Sequence, residues 1–142
     1  MKIAVVGSGY VGLVTGTCLA DSGNDVICLD IDKKKVASLR AGNIPIYEPG
    51  LEELVERNAR VGRLRFTTDT NEAVAAAEII FLAVGTPPTA SGAADLTALW
   101  SVVSSIASHL AKDAIVITKS TVPVGTAAKI EHQLSEATGR AC

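Results

Sequence analysis

The chain has 142 residues, 48% of them hydrophobic and 20% charged, which suits one globular domain with a real core and excludes a disordered segment. Thirteen Lys plus Arg against fifteen Asp plus Glu leave a net charge of -2. No basic run exceeds Lys33-Lys34-Lys35, so neither nucleic acid nor a membrane surface is an expected partner.

The opening run Ile3-Ala4-Val5-Val6 ends at Gly7, too short for a signal peptide or a membrane span, and the protein is expected in the cytoplasm. It reads as a strand that leads into Gly7-x-Gly9-x-x-Gly12 and then a helix from Tyr10 to Ser22. In that layout Gly7 permits the tight turn out of the strand and Gly9 has no side chain to hold a pyrophosphate away. Gly12 lets the helix pack close to the sheet. The N–H groups of the first helical turn, with Tyr10 and Val11, then face the anion. Val11, Val14, Cys18 and Leu19 are predicted on the buried side of this helix, and Gly23 at its C-terminal cap.

A second strand, Asp25 to Leu29, is followed by Asp30, 18 residues after Gly12, where a ribose-binding carboxylate belongs. Asp30 can accept both adenosine ribose hydroxyls and repel a 2′-phosphate, which favours NAD over NADP. The alternative is that Asp30 caps the next helix, although Asp32 suits that purpose better. This helix runs to about Ala41 with Val36 and Leu39 inward. Lys35 either turns back toward the adenosine side or is a solvated helix lysine. Gly42-Asn43 stops the helix, and the loop Ile44-Pro45-Ile46-Tyr47-Glu48-Pro49-Gly50 follows. Tyr47 and Glu48 receive no role beyond shaping that loop.

Beyond the loop the pattern predicts a helix from Leu51 to Asn58, a strand from Leu64 to Thr67 and a helix from Asn71 to Ala77. A fourth strand from Glu78 to Val84 precedes a helix from Leu96 to Leu110, whose inward stripe is Leu99, Val102, Val103, Ile106 and Leu110. The fifth strand covers Ala114 to Ile117 and the last helix Thr126 to about Thr138. Strands such as Ile79-Ile80-Phe81-Leu82-Ala83-Val84 are continuous apolar runs, which implies burial on both faces of a parallel sheet. The expected fold is therefore α/β, a doubly wound sheet of order 3-2-1-4-5 with helices on both faces, in one domain over 1–142 and without a sixth strand.

Ligands bind such sheets at the switch point, beyond the carboxyl ends of the strands. Gly85-Thr86-Pro87-Pro88 arrives there from strand four. Its prolines fix an extended exit, and Thr86 offers a hydroxyl to the middle or nicotinamide half of a dinucleotide, or else the segment is a structural turn. Lys119-Ser120-Thr121 arrives from strand five and places two hydroxyls where nicotinamide and substrate would meet, unless Ser120 and Thr121 serve only to start a helix. An odd number of cysteines with no paired spacing fits a reducing compartment. Cys18 and Cys28 are expected in the core and Cys142 at a frayed end. His109 and His132 fall on predicted helices with no partner at metal spacing, so no metal site is expected.

Taken together, these motifs resemble the N-terminal domain of the UDP-glucose 6-dehydrogenase and GDP-mannose 6-dehydrogenase family. The resemblance rests on Lys2 to Leu13, on Leu29-Asp30-Ile31-Asp32 with Lys35, and on Ile46-Tyr47-Glu48-Pro49-Gly50-Leu51. Gly85-Thr86-Pro87, Ala94-Asp95-Leu96 and Lys119-Ser120-Thr121-Val122-Pro123-Val124-Gly125 extend it over almost the whole chain. The segment from Ile44 to Leu51 and Ala94-Asp95-Leu96 lean toward the UDP-glucose members.

The resemblance implies a Rossmann fold and an oxidation of a nucleotide-linked hexose at C6, from alcohol to carboxylate, with two NAD molecules. Asp30, Lys35, Thr86 and Thr121 would contact NAD, and Thr121 would also support catalysis by helping to position the reactive water. It further implies that the nucleophilic cysteine, the catalytic lysine and the sugar-nucleotide domain lie downstream, and that the full-length protein is a homo-oligomer. Members acting on GDP-mannose or UDP-N-acetylmannosamine remain alternatives. So do another dehydrogenase on the same coenzyme fold, such as a 6-phosphogluconate or 3-hydroxyacyl relative, and a regulatory NAD-binding module without chemistry.

Overall fold

Successive residues of a strand point to opposite faces of its sheet, and here that alternation divides the core in two. The computed structural model describes residues 1–139 and holds five parallel strands: β1 (Lys2–Val6), β2 (Asp25–Leu29), β3 (Leu64–Thr67), β4 (Ile79–Leu82) and β5 (Ile115–Thr118). They lie in the order β3-β2-β1-β4-β5, as the sequence predicts. Six helices connect or follow them: α1 (Tyr10–Asp21), α2 (Lys33–Arg40), α3 (Leu51–Arg60), α4 (Thr70–Val74), α5 (Thr97–Ala107) and α6 (Thr126–Thr138).

Ile3, Val5, Val26, Cys28, Leu64 and Phe66 pack on one face against Leu13 of α1, Val36 and Leu39 of α2, and Leu51 and Val55 of α3. Ala4, Val6, Ile27, Leu29, Ile80 and Leu82 pack on the other against α4, α5 and α6, through Val74, Leu99, Val103, Ile106, Ile130 and Leu134. Both faces are therefore covered, which is why the strands read as unbroken apolar runs. Strand β1 pairs with β2 on one side and β4 on the other, so the chain reverses its direction of winding at the β1–β4 boundary.

Helix α1 presents a different face from the one expected. Val11 is 46% exposed and Cys18 is exposed, while Val14 and Leu19 are only half-buried. The face against the sheet is Gly12, Leu13, Gly16, Thr17 and Ala20. Small size decides this. A Cβ on Gly16 would stand 2.6 Å from Cys28 Sγ, so at that position the helix lies too near the sheet for any side chain. Thr17 tolerates burial because its hydroxyl donates to Leu13 O at 2.7 Å. Cys28 is buried as expected, and burial pushes its thiol up to about 12. Cys142 lies outside the described residues.

Other boundaries shift by a turn or less. Helix α3 continues to Arg60 before Gly62 (φ 75°) ends it. Asn58 is buried there and donates to Leu54 O and Asp21 Oδ1. Helix α4 begins earlier than expected because Asp69 caps it, accepting from the N–H groups of Asn71 and Glu72. Helix α5 ends at Ala107, so His109 falls just past it and not on a helix. His132 lies exposed on α6, 3.4 Å from Glu136. Among the described residues no cluster of His, Cys, Asp or Glu could hold a metal ion, and no helix is long and apolar enough to cross a membrane.

Candidate functional site

A cavity of about 500 Å³ opens at the carboxyl ends of β1, β2 and β4, a volume within the range of small-molecule sites. Its floor is Val6, Gly7 and Gly9 after β1, Leu29 to Asp32 after β2, and Ala83, Val84 and Gly85 after β4. Lys35, Thr68 and Thr70 form one rim, and Ala98, Ser101, Val102 and Ser105 of α5 close the other side.

The three glycines are constrained by three different things. Gly7 has φ 99°, and a Cβ on it would lie 2.7 Å from Ala83 O. A Cβ on Gly12 would lie 1.7 Å from Gly7 O. Both positions are thus closed by the protein itself, since Gly7 makes the turn and Gly12 lets α1 approach it. Gly9 differs. Its φ of -73° suits any residue, and nothing lies within 4 Å of an added Cβ. Its bareness matters only to something that enters the cavity.

Gly9 is the N-cap of α1 and gives it no side-chain cap, as is also true at α3, α5 and α6, whereas α2 and α4 are capped by Asp32 and Asp69. The first-turn N–H groups of a helix have no partner within it and carry a partial positive charge. An anion such as a pyrophosphate supplies what α1 lacks.

Asp30 is 8% exposed and lines the cavity. It does not cap α2. That task falls to Asp32, whose Oδ1 accepts from the N–H groups of Lys34 and Lys35 at 2.9 and 3.1 Å. Asp30 Oδ2 instead accepts from Ser8 N at 2.9 Å, Ser8 Oγ at 2.7 Å and Lys35 Nζ at 2.8 Å. Its Oδ1 accepts from Asp32 N at 3.0 Å. Burial pushes the carboxyl up, but the hydrogen bonds from Lys35, the Asp32 N–H and Ser8 outweigh it and hold the group below its ordinary 3.8. Lys35 therefore turns back to the cavity and is not a freely solvated lysine.

The exits of β4 and β5 are tied together. Thr86 Oγ1 donates to Thr121 O at 2.8 Å. Ser120 Oγ lies 2.7 Å from Val84 O and 3.2 Å from Leu82 O. The Ser120 hydroxyl proton is thus engaged by β4 backbone, and the Thr121 side chain is the exposed one of the pair. Neither residue starts α6, because Gly125 is its N-cap and the Thr126 hydroxyl bonds Pro123 O. After Pro87 the chain makes a small hairpin, with Pro88 bridged to Ala94 and Asp95 N–H donating to Pro87 O. The sequence reading missed this hairpin, although Ser91-Gly92 between the two threonine- and alanine-bearing arms is a turn signal.

The remaining motif residues sit beside the glycine turn. The Tyr10 hydroxyl donates to Glu48, which raises the phenol above its ordinary value and fastens the loop of residues 44–50 to the start of α1. Tyr47 is 91% exposed. Among the described residues, then, the structure gathers Gly7, Gly9, Asp30, Lys35 and Gly85 around one cavity. Thr86, Pro87, Ser120 and Thr121 lie at the adjoining β4–β5 exits, and Tyr10 and Val11 are exposed at the start of α1.

Comparison with known proteins agrees with this geometry. The model of the UDP-glucose/GDP-mannose dehydrogenase family, NAD binding domain, matches residues 1–141. UDP-glucose 6-dehydrogenase of Rhizobium meliloti (strain 1021) is 50% identical over 137 residues, 96% of this chain and 31% of that protein. UDP-glucose 6-dehydrogenase TuaD of Bacillus subtilis (strain 168) is 51% identical over 136 residues, 96% of this chain and 30% of that protein. The chain thus spans about a third of the length of these relatives. Among solved structures, a ternary complex of GDP-mannose dehydrogenase from Pseudomonas aeruginosa superposes with a TM-score of 0.93 at 34% identity, covering 99% of this chain and 33% of that one. UDP-glucose dehydrogenase from Pyrobaculum islandicum superposes with a TM-score of 0.89 at 39% identity, over 96% of this chain and 33% of that one. With the family model matching residues 1–141, the chain belongs to the UDP-glucose/GDP-mannose dehydrogenase family and carries its NAD-binding domain.

Proposed function

We propose that this chain is the coenzyme half of a nucleotide-sugar dehydrogenase that oxidises UDP-glucose to UDP-glucuronate with two NAD molecules. The observation that carries the reading is the placement of Asp30 and the bare, uncapped turn at Gly9 on one cavity. A carboxylate for a ribose and a helix terminus for a pyrophosphate stand in the relation a dinucleotide needs. NAD, when bound, supplies the hydride acceptor.

The chain's own residues bind and orient. Gly9 and the first turn of α1 hold the pyrophosphate, flanked by Tyr10 and Val11, while Asp30 and Lys35 fix the adenosine ribose. Gly85, Thr86 and Pro87 line the path toward the nicotinamide. There the Thr86 hydroxyl, with its proton on Thr121 O, has lone pairs left to accept. Thr121 has an exposed side chain at the end of the path and supports catalysis by positioning water. Relatives at 50% identity named for UDP-glucose favour that sugar over the GDP-mannose of a 34% identical neighbour. The same reading makes the full-length protein a cytoplasmic homo-oligomer with no nucleic-acid or membrane partner.

The 142-residue chain alone is expected to bind NAD without reducing it. Cys28 is buried and its thiol pushed up to about 12. Cys18, although exposed, lies eight residues along α1 from Tyr10, about 12 Å from the glycine turn. Neither can hold an aldehyde at the nicotinamide. The assay is NADH absorbance with saturating NAD and UDP-glucose, for this chain and for a polypeptide extended through the family's further domains. Turnover by the extended form alone is the expected result. Comparable turnover by the short chain, or none by the extended form on UDP-glucose, contradicts the proposal.

A further inference from the structure

We infer that Ser8 is a positioning residue for ribose recognition, tying the Asp30 carboxylate to the glycine turn so that Oδ1 is the oxygen presented to the coenzyme. The inference rests on the NAD reading above and assigns a part to the one residue of Gly7-Ser8-Gly9 that the motif leaves unspecified.

Ser8 is 2% exposed, so it does not itself meet a ligand. Both its polar donors go to one atom, with N–H and Oγ at 2.9 and 2.7 Å from Asp30 Oδ2. Lys35 Nζ reaches the same oxygen at 2.8 Å. Each oxygen of an ionised carboxylate offers about two lone-pair sites. Oδ2 already holds three donors, while Oδ1 holds only the Asp32 N–H at 3.0 Å. A ribose hydroxyl therefore finds its acceptor on Oδ1.

The pairing also joins two subsites. Ser8 stands between Gly7, which makes the turn, and Gly9, the residue facing the pyrophosphate. Through Ser8 the carboxylate that reads the ribose and the backbone that reads the phosphates move as one piece. Without the Ser8 hydroxyl, Asp30 keeps only Lys35 and the Ser8 N–H on Oδ2, and Lys35 is the more flexible holder. The carboxylate can then rotate toward the ammonium and away from the ribose.

The test compares ADP, 2′,3′-dideoxy-ADP and NAD by calorimetric titration into wild type, Ser8→Ala, Asp30→Asn and the double variant. Ser8→Ala is expected to weaken ADP and NAD about five- to tenfold, the range of one charge-assisted hydrogen bond partly compensated by its neighbours. Its affinity for dideoxy-ADP should be unchanged, because that ligand has no diol to read. In the Asp30→Asn background Ser8→Ala should cost less than about twofold, since residues acting through one group are not additive. Should Ser8→Ala fail to fold, Ser8→Cys keeps the shape with a weak donor and is expected to show the same pattern. Equal losses for ADP and dideoxy-ADP would mean that Ser8 merely supports the loop, and would overturn the inference. If Asp30→Asn weakens ADP while Ser8→Ala does not, Ser8 alone has been misread. If Asp30→Asn leaves ADP and NAD unchanged, the ribose site itself is wrong.

Discussion

Gly9→Val is expected to weaken NAD binding by at least ~100-fold, about 2.7 kcal/mol, while the apo protein still folds. The added Cβ meets no protein atom within 4 Å, and φ -73° with ψ -170° is comfortable for valine. Valine caps a helix less well than glycine, so the melting temperature should fall by only a few degrees. Gly12→Ala gives the opposite result. Its Cβ would lie 1.7 Å from the carbonyl oxygen of Gly7, backbone against which no rotamer helps. A cost above ~3 kcal/mol is expected, and a fall in melting temperature on the order of 10 °C or more. The measurements are calorimetric titration and thermal unfolding of both variants. Normal NAD affinity in Gly9→Val would remove the glycine turn as the phosphate site.

Asp30→Ala is expected to weaken NAD about ten- to a hundredfold, the loss of a charged hydrogen bond of ~1.5–3 kcal/mol. NADP should lose less or gain, because its 2′-phosphate no longer faces a carboxylate and Lys35 is freed from its ion pair. The narrowing of the NAD to NADP ratio is the decisive readout, measured by titrating both coenzymes. An unchanged ratio would show that Asp30 does not face the ribose. The pH dependence has a defined sign. The folded carboxyl lies below its ordinary 3.8, so its contribution to stability is complete above about pH 3.8. It is lost as pH falls through the lower folded value. Asp30→Ala should therefore flatten the acid limb of the stability curve.

The fold was legible wherever a pattern had one physical cause. Burial on both faces explains the apolar strands, and Asp25 to Leu29, Leu64 to Thr67 and Thr126 to Thr138 appear with the predicted bounds. The buried face of α1 was not legible from hydrophobicity. That face includes Gly12 and Gly16, where an added Cβ would meet the Gly7 carbonyl and the Cys28 sulfur. A reading that ranks valine above glycine selects Val11 and Cys18 instead.

The candidate site divides in the same way. Gly7, Gly9, Gly12 and Asp30 were readable because turn geometry and ligand approach dictate residue type at a fixed spacing. The bond from Ser8 to Asp30, the tie from Thr86 to Thr121 and the fastening of Glu48 to Tyr10 join residues 22, 35 and 38 positions apart. No local pattern encodes such pairings. Glu48 in particular acquires meaning only when the loop of residues 44–50 is seen to close on the start of α1.

The central claim is that these residues form an NAD site selective at the ribose. Calorimetric titration of NAD and NADP into the unaltered 142-residue chain tests it most directly. The account predicts one saturable NAD site per chain, with NADP weaker by about tenfold or more. Absence of NAD binding to the folded chain, or equal affinity for the two coenzymes, would contradict it.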